Sequence, residues 1–162
     1  MTTSTSEHSR TIDQWFAGYA ADHRNPVNQA IHVVCVPLIV WSLVAMLWAV
    51  PPPGTLFRPG FWAGLAMLAM TLHIYRASRP LGLGMAAMFL LFGLTAQALY
   101  GALGAKPLAW LGLFVFIGAW LGQFLGHRIE GRRPSFLTDL HYLLVGPAWV
   151  LAKLYRKLGW HW

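Results

Sequence analysis

Between Ile31 and Val50 the chain runs for twenty residues without a formal charge. At the helical rise of about 1.5 Å per residue, such a run crosses a hydrocarbon layer of roughly 30 Å. Pro51-Pro52-Pro53-Gly54 stops it, and three further apolar runs follow: Gly60 to Tyr75, closed by Arg76 and Arg79; Leu81 to Ala105; and Pro107 to Gly126, after Lys106. Composition agrees, since 57% apolar residues, 10% charged residues and a mean hydropathy of +0.51 over 162 residues lie far from soluble averages. The expectation is one all-α integral membrane domain. It has four transmembrane helices at about 31–50, 60–76, 81–103 and 107–126, an N-terminal amphipathic surface helix and a C-terminal re-entrant or interfacial helix.

The two ends differ from the spans. Residues 1–10 read as a flexible tail, with one basic side chain and no apolar core, unlike a secretory signal. Thr11 and Gln14 match a helix-start capping box, and Ile12, Trp15, Phe16 and Tyr19 recur at helical spacing. This predicts a surface helix over 11–24, too short and polar to span, with aromatics suited to the headgroup boundary. Pro26 disfavours helical geometry at Asn25, so that helix ends near His23 and the next starts around Val27 or Asn28. Near the other end, Leu140 to Ala152 is too short for an ordinary crossing and is interrupted by Gly146-Pro147. A re-entrant or interfacial helix over 139–158 is therefore expected.

Charge placement sets the orientation. With four spans and an inner amino terminus, Arg10, Arg24, Arg76, Arg79, Arg128, Arg132, Arg133, Lys153, Arg156 and Lys157 are inside, against Arg58 and Lys106 outside. A fifth crossing would move Lys153, Arg156 and Lys157 and reduce ten against two to seven against five. Both termini are thus expected on the cytoplasmic side. The net charge of +7 is explained by this bias, and no nucleic-acid partner is expected.

Under this topology His23, His32, His73, His127 and His141 fall at or near the inner boundary, while His8 and His161 lie in the tails. Ionisable groups at membrane depth are costly and tend to face a bundle interior, where they pair or bind something. Imidazole is the commonest side-chain metal ligand. His32 stands out because it lies inside an apolar run one turn after Asn28, and His127 because it sits between Gln123 and Glu130. The plainer readings are solvated or interfacial histidines, strongest for His8 and His161 in the tails and next for His73 and His141. A metal site with one or two ions is the physical hypothesis, and ligand types alone leave iron and zinc chemistry both open.

Other chemistries lack their residues. The single Cys35 excludes a disulfide framework, and His-Glu-x-x-His, Gly-x-Ser-x-Gly and a Gly-rich phosphate loop are all missing. Gly118, Gly122 and Gly126, spaced by four, form a surface for close helix approach, with Gly60 and Gly64 a weaker second case.

Tyr19, His23, Asn28, His32 and Pro37, followed by Gln123-Phe124, Gly126-His127, Glu130 and Pro134, carry a resemblance to a known family. The chain resembles the small membrane proteins related to the yeast 2-hydroxy fatty acid dioxygenase, in its bacterial form, from about Trp15 to Leu158. The resemblance implies an Fe(2+)-dependent dioxygenase of fatty-acid α-oxidation, which shortens a 2-hydroxy fatty acid by one carbon with O2. The setting it implies is a bacterial inner membrane with the metal on the cytoplasmic side. It carries the metal ligands onto His23, His32 and His127, with His141, Glu130 and His73 as further candidates. Asn28, Gln123 and Tyr19 stand behind those ligands. Arg24, Arg128, Arg132 or Arg133 would pair with the substrate carboxylate, since guanidinium suits bidentate carboxylate recognition. Membrane lipid and further copies of the chain are candidate neighbours. The other readings are a metal-dependent hydrolase or desaturase-like enzyme and a non-catalytic bundle.

Overall fold

The computed structural model describes residues 12–131 and 136–161, and these contain six helices and no strand. In chain order they are α1 (Ile12–Asp22), α2 (Pro26–Ala49), α3 (Phe61–Ala77), α4 (Arg79–Leu103), α5 (Ala105–Glu130) and α6 (Phe136–Lys157). Three of them, α2, α4 and α5, are long and apolar enough to cross a membrane. The fourth expected span, α3, has only 17 residues, about 25 Å at the helical rise. It nevertheless runs between the two ends of its neighbours. Gly60, its N-cap, lies against the Trp48 indole near the end of α2, where an added Cβ would come within 2.7 Å of Cζ2. Ile74, near its other end, packs with Leu81, Tyr19 and Trp149 at the opposite end of the bundle.

The tightest pairing joins α2 and α5, and glycines make it tight. A Cβ on Gly112 would meet Ser42 O at 3.0 Å and Ala45 Cβ at 3.4 Å, one on Gly122 would meet Cys35 Sγ at 2.7 Å, and one on Gly126 would meet Asn28. As numbers rise along α5 they fall along α2, so the helices are antiparallel. Their contact brings the start of α2 beside the end of α5. Gly118 faces open space, so only Gly122 and Gly126 of the expected row serve this contact. Gly60 and Gly64 do not form a second row. Gly60 caps α3 with a left-handed φ of 88°, and Gly64 has nothing near it. On the far side of α2, Trp41 Nε1 donates to Thr95 Oγ1 at 2.9 Å and Trp48 Nε1 to Gln97 Oε1 at 3.2 Å, which anchors α4.

The start of α2 falls within a residue of the expected Val27 or Asn28, whereas α5 and α6 run on through expected breaks. Asn25 caps α2, its Oδ1 accepting from Val27 N at 2.9 Å with Pro26 at the first helical position, so α2 begins well before the apolar run. α5 continues past Gly126 through the charged residues to Glu130, and Gly131 closes it with a left-handed φ of 74°. His127 and Glu130 therefore share a helix, where a connection was expected. α6 is one continuous helix through Gly146-Pro147, contrary to the expected interruption. A proline inside a helix costs about 3 kcal/mol. Here both residues are buried, and a Cβ on Gly146 would lie 3.3 Å from Val36, so packing against α2 outweighs the local breaker. The expected tail over 1–10, the Thr11 cap and residues 132–135, with Arg132, Arg133 and Pro134, lie outside the described residues.

Val145, Ala148, Trp149 and Ala152 recur at helical spacing and form the buried face of α6. That face packs with Ile12, Phe16 and Tyr19 of α1 and with Leu81, Met85 and Phe89 of α4. Thus α1 and α6 close one end of the bundle, at the start of α2 and the end of α5.

Candidate metal centre

Three histidines from three segments meet at this closed end. His23 lies in the turn after α1, His32 in the second turn of α2 and His127 in the last turn of α5. All three are buried, and one ligand atom from each falls within 4.8 Å of the others. Ring centroids are 4.3 Å apart for His23 and His32, 5.4 Å for His23 and His127, and 5.1 Å for His32 and His127. Among the described residues, no other group of three His, Cys, Asp or Glu has ligand spacing.

The orientation of two rings is fixed by the backbone. His23 Nδ1 is 2.7 Å from Tyr19 O, and His32 Nδ1 is 2.9 Å from Asn28 O. A carbonyl only accepts, so each Nδ1 carries the proton and each Nε2 presents a lone pair. Those two Nε2 atoms face each other at 3.0 Å. At that distance a cation between them, a proton or a metal ion, joins the two nitrogens. Metal–imidazole bonds of about 2.0–2.1 Å held at about 90° separate the two nitrogens by about 3.0 Å. The donor set therefore fits a bound metal ion. Imidazole N–H groups held by backbone carbonyls are also the usual outer support of metal-bound histidine.

The surrounding side chains hold this arrangement. Tyr19 stacks on His23 at 4.2 Å and 11° between planes, and Trp149 packs on Tyr19 at 4.7 Å and reaches within 6.4 Å of His23. The break at Asn25-Pro26 lets His23 turn toward His32. Glu130 ties that break to α5: Oε1 accepts from Arg24 N at 2.9 Å and Asn25 N at 3.0 Å, and Oε2 accepts from Asn28 Nδ2 at 3.0 Å. A carboxylate at a helix N-terminus meets free N–H groups and the positive end of the dipole. Gln29 adds a second tie, its Nε2 donating to His23 O at 2.6 Å.

The expected residues thus sort by position. His23, His32 and His127 come together; Glu130 belongs to the clamp on the α2 N-terminus and lies outside the three-histidine group. Asn28 supports His32 through its backbone carbonyl, while its side chain serves Glu130. Gln123 is buried one turn before His127. His73 is exposed and stacks on Trp15 at 5.4 Å, away from the three histidines. The side chains of Arg24 and Arg128 are exposed. The side chain of His141 lies outside the described part of the structure.

Trp149, Gln29 and Lys153 were not anticipated. Lys153 Nζ donates to Gln29 Oε1 at 2.6 Å and sits 4.3 Å from the Trp149 ring centroid. The available signal was the spacing of Val145, Ala148, Trp149 and Ala152, which marks one buried stripe that passes directly through Gly146-Pro147.

Comparison with known proteins bears on this geometry. The chain is 29% identical over 143 residues to the 2-hydroxy-palmitic acid dioxygenase MPO1 of Saccharomyces cerevisiae, covering 87% of this chain and 78% of that protein. No solved structure matches it. The model of the Mpo1-like family, described as 2-hydroxy-palmitic acid dioxygenase Mpo1-like, matches residues 9–158, a stretch that holds every residue of the histidine cluster and its clamp. The chain belongs to the Mpo1-like family.

Proposed function

We propose that this protein is an Fe(2+)-dependent dioxygenase of fatty-acid α-oxidation, shortening a 2-hydroxy fatty acid by one carbon with O2. The observation that carries the reading is the pair of inward-facing Nε2 atoms of His23 and His32 at 3.0 Å, with His127 beside them. The family relationship and the name of the yeast relative supply the reaction class. Three imidazoles with open positions suit ferrous iron, which would supply the means of activating oxygen. His23, His32 and His127 hold it; Tyr19 and Asn28 fix two of the rings through their carbonyls. Tyr19 and Trp149 keep bulk water from the cluster by covering His23. Arg24 and Arg128, with Arg132 and Arg133 beyond Gly131, are the candidates to pair with the substrate carboxylate.

The membrane placement belongs to the same reading. α2, α3, α4 and α5 cross the bilayer, α1 and α6 lie at its inner face, and the metal site opens to the cytoplasm of a bacterial cell. The ten-to-two distribution of Lys and Arg supports this, as does the course of α3 between the same two ends as its neighbours. Short α3 fits a locally thinned bilayer.

The test is the purified full chain in detergent with Fe(2+), a reductant, O2 and 2-hydroxypalmitate. The expected result is the acid one carbon shorter, lost in His32→Ala. Absence of that product under every reducing condition, in protein that binds iron, would refute the assignment.

A further inference from the structure

Between α2 and α6 the bundle has a groove of about 560 Å³. That size lies within the range of about 300–1,000 Å³ typical of small-ligand sites. Val33, Val150 and Leu154 form its apolar wall, and Lys153, Arg156 and Lys157 form its rim. Val33 follows His32 directly in α2 and is exposed, so the α2 side of the groove is one residue from the cluster along the chain. The lining thus has one apolar side and one cationic side, the two halves of an amphiphilic anion.

Lys153 is held for such a task. Its ammonium donates to Gln29 Oε1 at 2.6 Å and sits 4.3 Å from the Trp149 ring centroid, two contacts that fix it at the groove rim. Burial and the neighbouring Arg156 both push the Lys153 ammonium below its ordinary value. Glu130, the acidic side chain whose surroundings are described, is committed to the α2 N-terminus and does not line this groove. The plainer role for Arg156 and Lys157 is to complement the negative end of α6, where they occupy the last turn. That role does not explain an apolar wall facing them or the fixed position of Lys153.

We propose that the α2–α6 groove is the capture site for the fatty acid before it reaches the arginines near the metal site, with the carboxylate first held by Lys153 and Lys157 at the rim and the chain along Val33, Val150 and Leu154. This rests on the fatty-acid reading above and adds the route by which the acid reaches the cluster from the membrane. Gln29 links the two sites, since it accepts from Lys153 and donates to the His23 carbonyl.

The experiment is photolabelling of the full chain in zwitterionic nanodiscs with a palmitate that carries a diazirine on its chain, followed by mapping of labelled residues. Palmitate has no 2-hydroxyl, and the assay needs neither iron nor turnover. Its outcome is therefore independent of whether 2-hydroxypalmitate is converted. Labelling is expected on α2 and α6 around Val33, Val150 and Leu154, displaced by unlabelled palmitate and not by hexadecanol. A charge-assisted hydrogen bond is worth about 1.5–3 kcal/mol, so Lys153→Met should weaken displacement by about 10-fold to 100-fold and Lys153→Arg should restore it. Val33→Trp, which fills the groove from its exposed side and leaves Lys153 in place, should abolish labelling there. Equal competition by hexadecanol, unchanged labelling in both Lys153→Met and Val33→Trp, or label concentrated between α3 and α4 would overturn the proposal. Competition by phosphatidylglycerol as strong as by palmitate would reassign the groove to a lipid headgroup and overturn it as well.

Discussion

Replacing Gly126 by alanine should damage this protein more than the same change one or two helical turns earlier. On Gly126 a new Cβ would collide with the Asn28 amide oxygen and come within 3.3 Å of its Cγ and 3.5 Å of Ile31 Cγ2. Asn28 is fully buried, and its Nδ2 donates to Glu130, so it has nowhere to retreat without breaking that bond. Overpacking of this kind costs about 1–3 kcal/mol, and a lost hydrogen bond to a carboxylate about 1.5–3 kcal/mol; whichever relaxation is cheaper sets the cost. Alanine recovers about 0.8–1 kcal/mol of helix propensity at any interior position. Gly118→Ala meets nothing within 4 Å and keeps that gain. Gly122→Ala meets only the Cys35 thiol at 2.7 Å, a small side chain that can rotate, and should fall between the two. The propensity gain is common to both, so the expected gap between Gly118→Ala and Gly126→Ala is roughly 1–3 kcal/mol. Equilibrium unfolding by SDS in mixed micelles reads it as a difference in midpoint. Equal stability of the two variants, or a more stable Gly126→Ala, would show that the α2–α5 contact is not as tight as described.

Two further outcomes follow from the same geometry. Glu130→Gln turns an acceptor-only group at the α2 N-terminus into one that directs an N–H toward other donors, so it should loosen the turn carrying His23. Outer-support changes typically cost 10-fold to 100-fold in metal affinity, and a competition titration with a chelator dye should show a loss of about that size. For topology, a cysteine at Trp160 in a Cys35→Ala background should be inaccessible to an impermeant maleimide added outside intact cells; labelling from outside would refute four crossings.

Much of this arrangement was legible in the sequence, because its signals are local. The uncharged run from Ile31, the proline at position 26 and the pairing of His32 with Asn28 at one turn's spacing each depend on neighbours in the chain. The family resemblance likewise rests on residues grouped near the two ends of the chain. What the sequence concealed depends on contacts between distant segments. Glu130 was a further ligand candidate on the family resemblance, and its partners Arg24, Asn25 and Asn28 lie more than a hundred residues away. Gly146-Pro147 looked like a break because local propensity is unfavourable, and only packing against Val36 and the α1 face keeps α6 whole. Trp149 and Lys153 escaped notice for the same reason: their meaning comes from α1 and α2. His73 shares an expected membrane level with the cluster but points to Trp15, because depth in a bundle does not fix which side of a helix faces inward.

Iron content of anaerobically purified protein tests the central claim most directly. After loading with Fe(2+) and removal of excess, wild type and His73→Ala should retain iron, while His23→Ala, His32→Ala and His127→Ala should each lose it in protein that remains folded. Retention of iron in the three cluster variants, or its loss in His73→Ala alone, would contradict the metal centre described here.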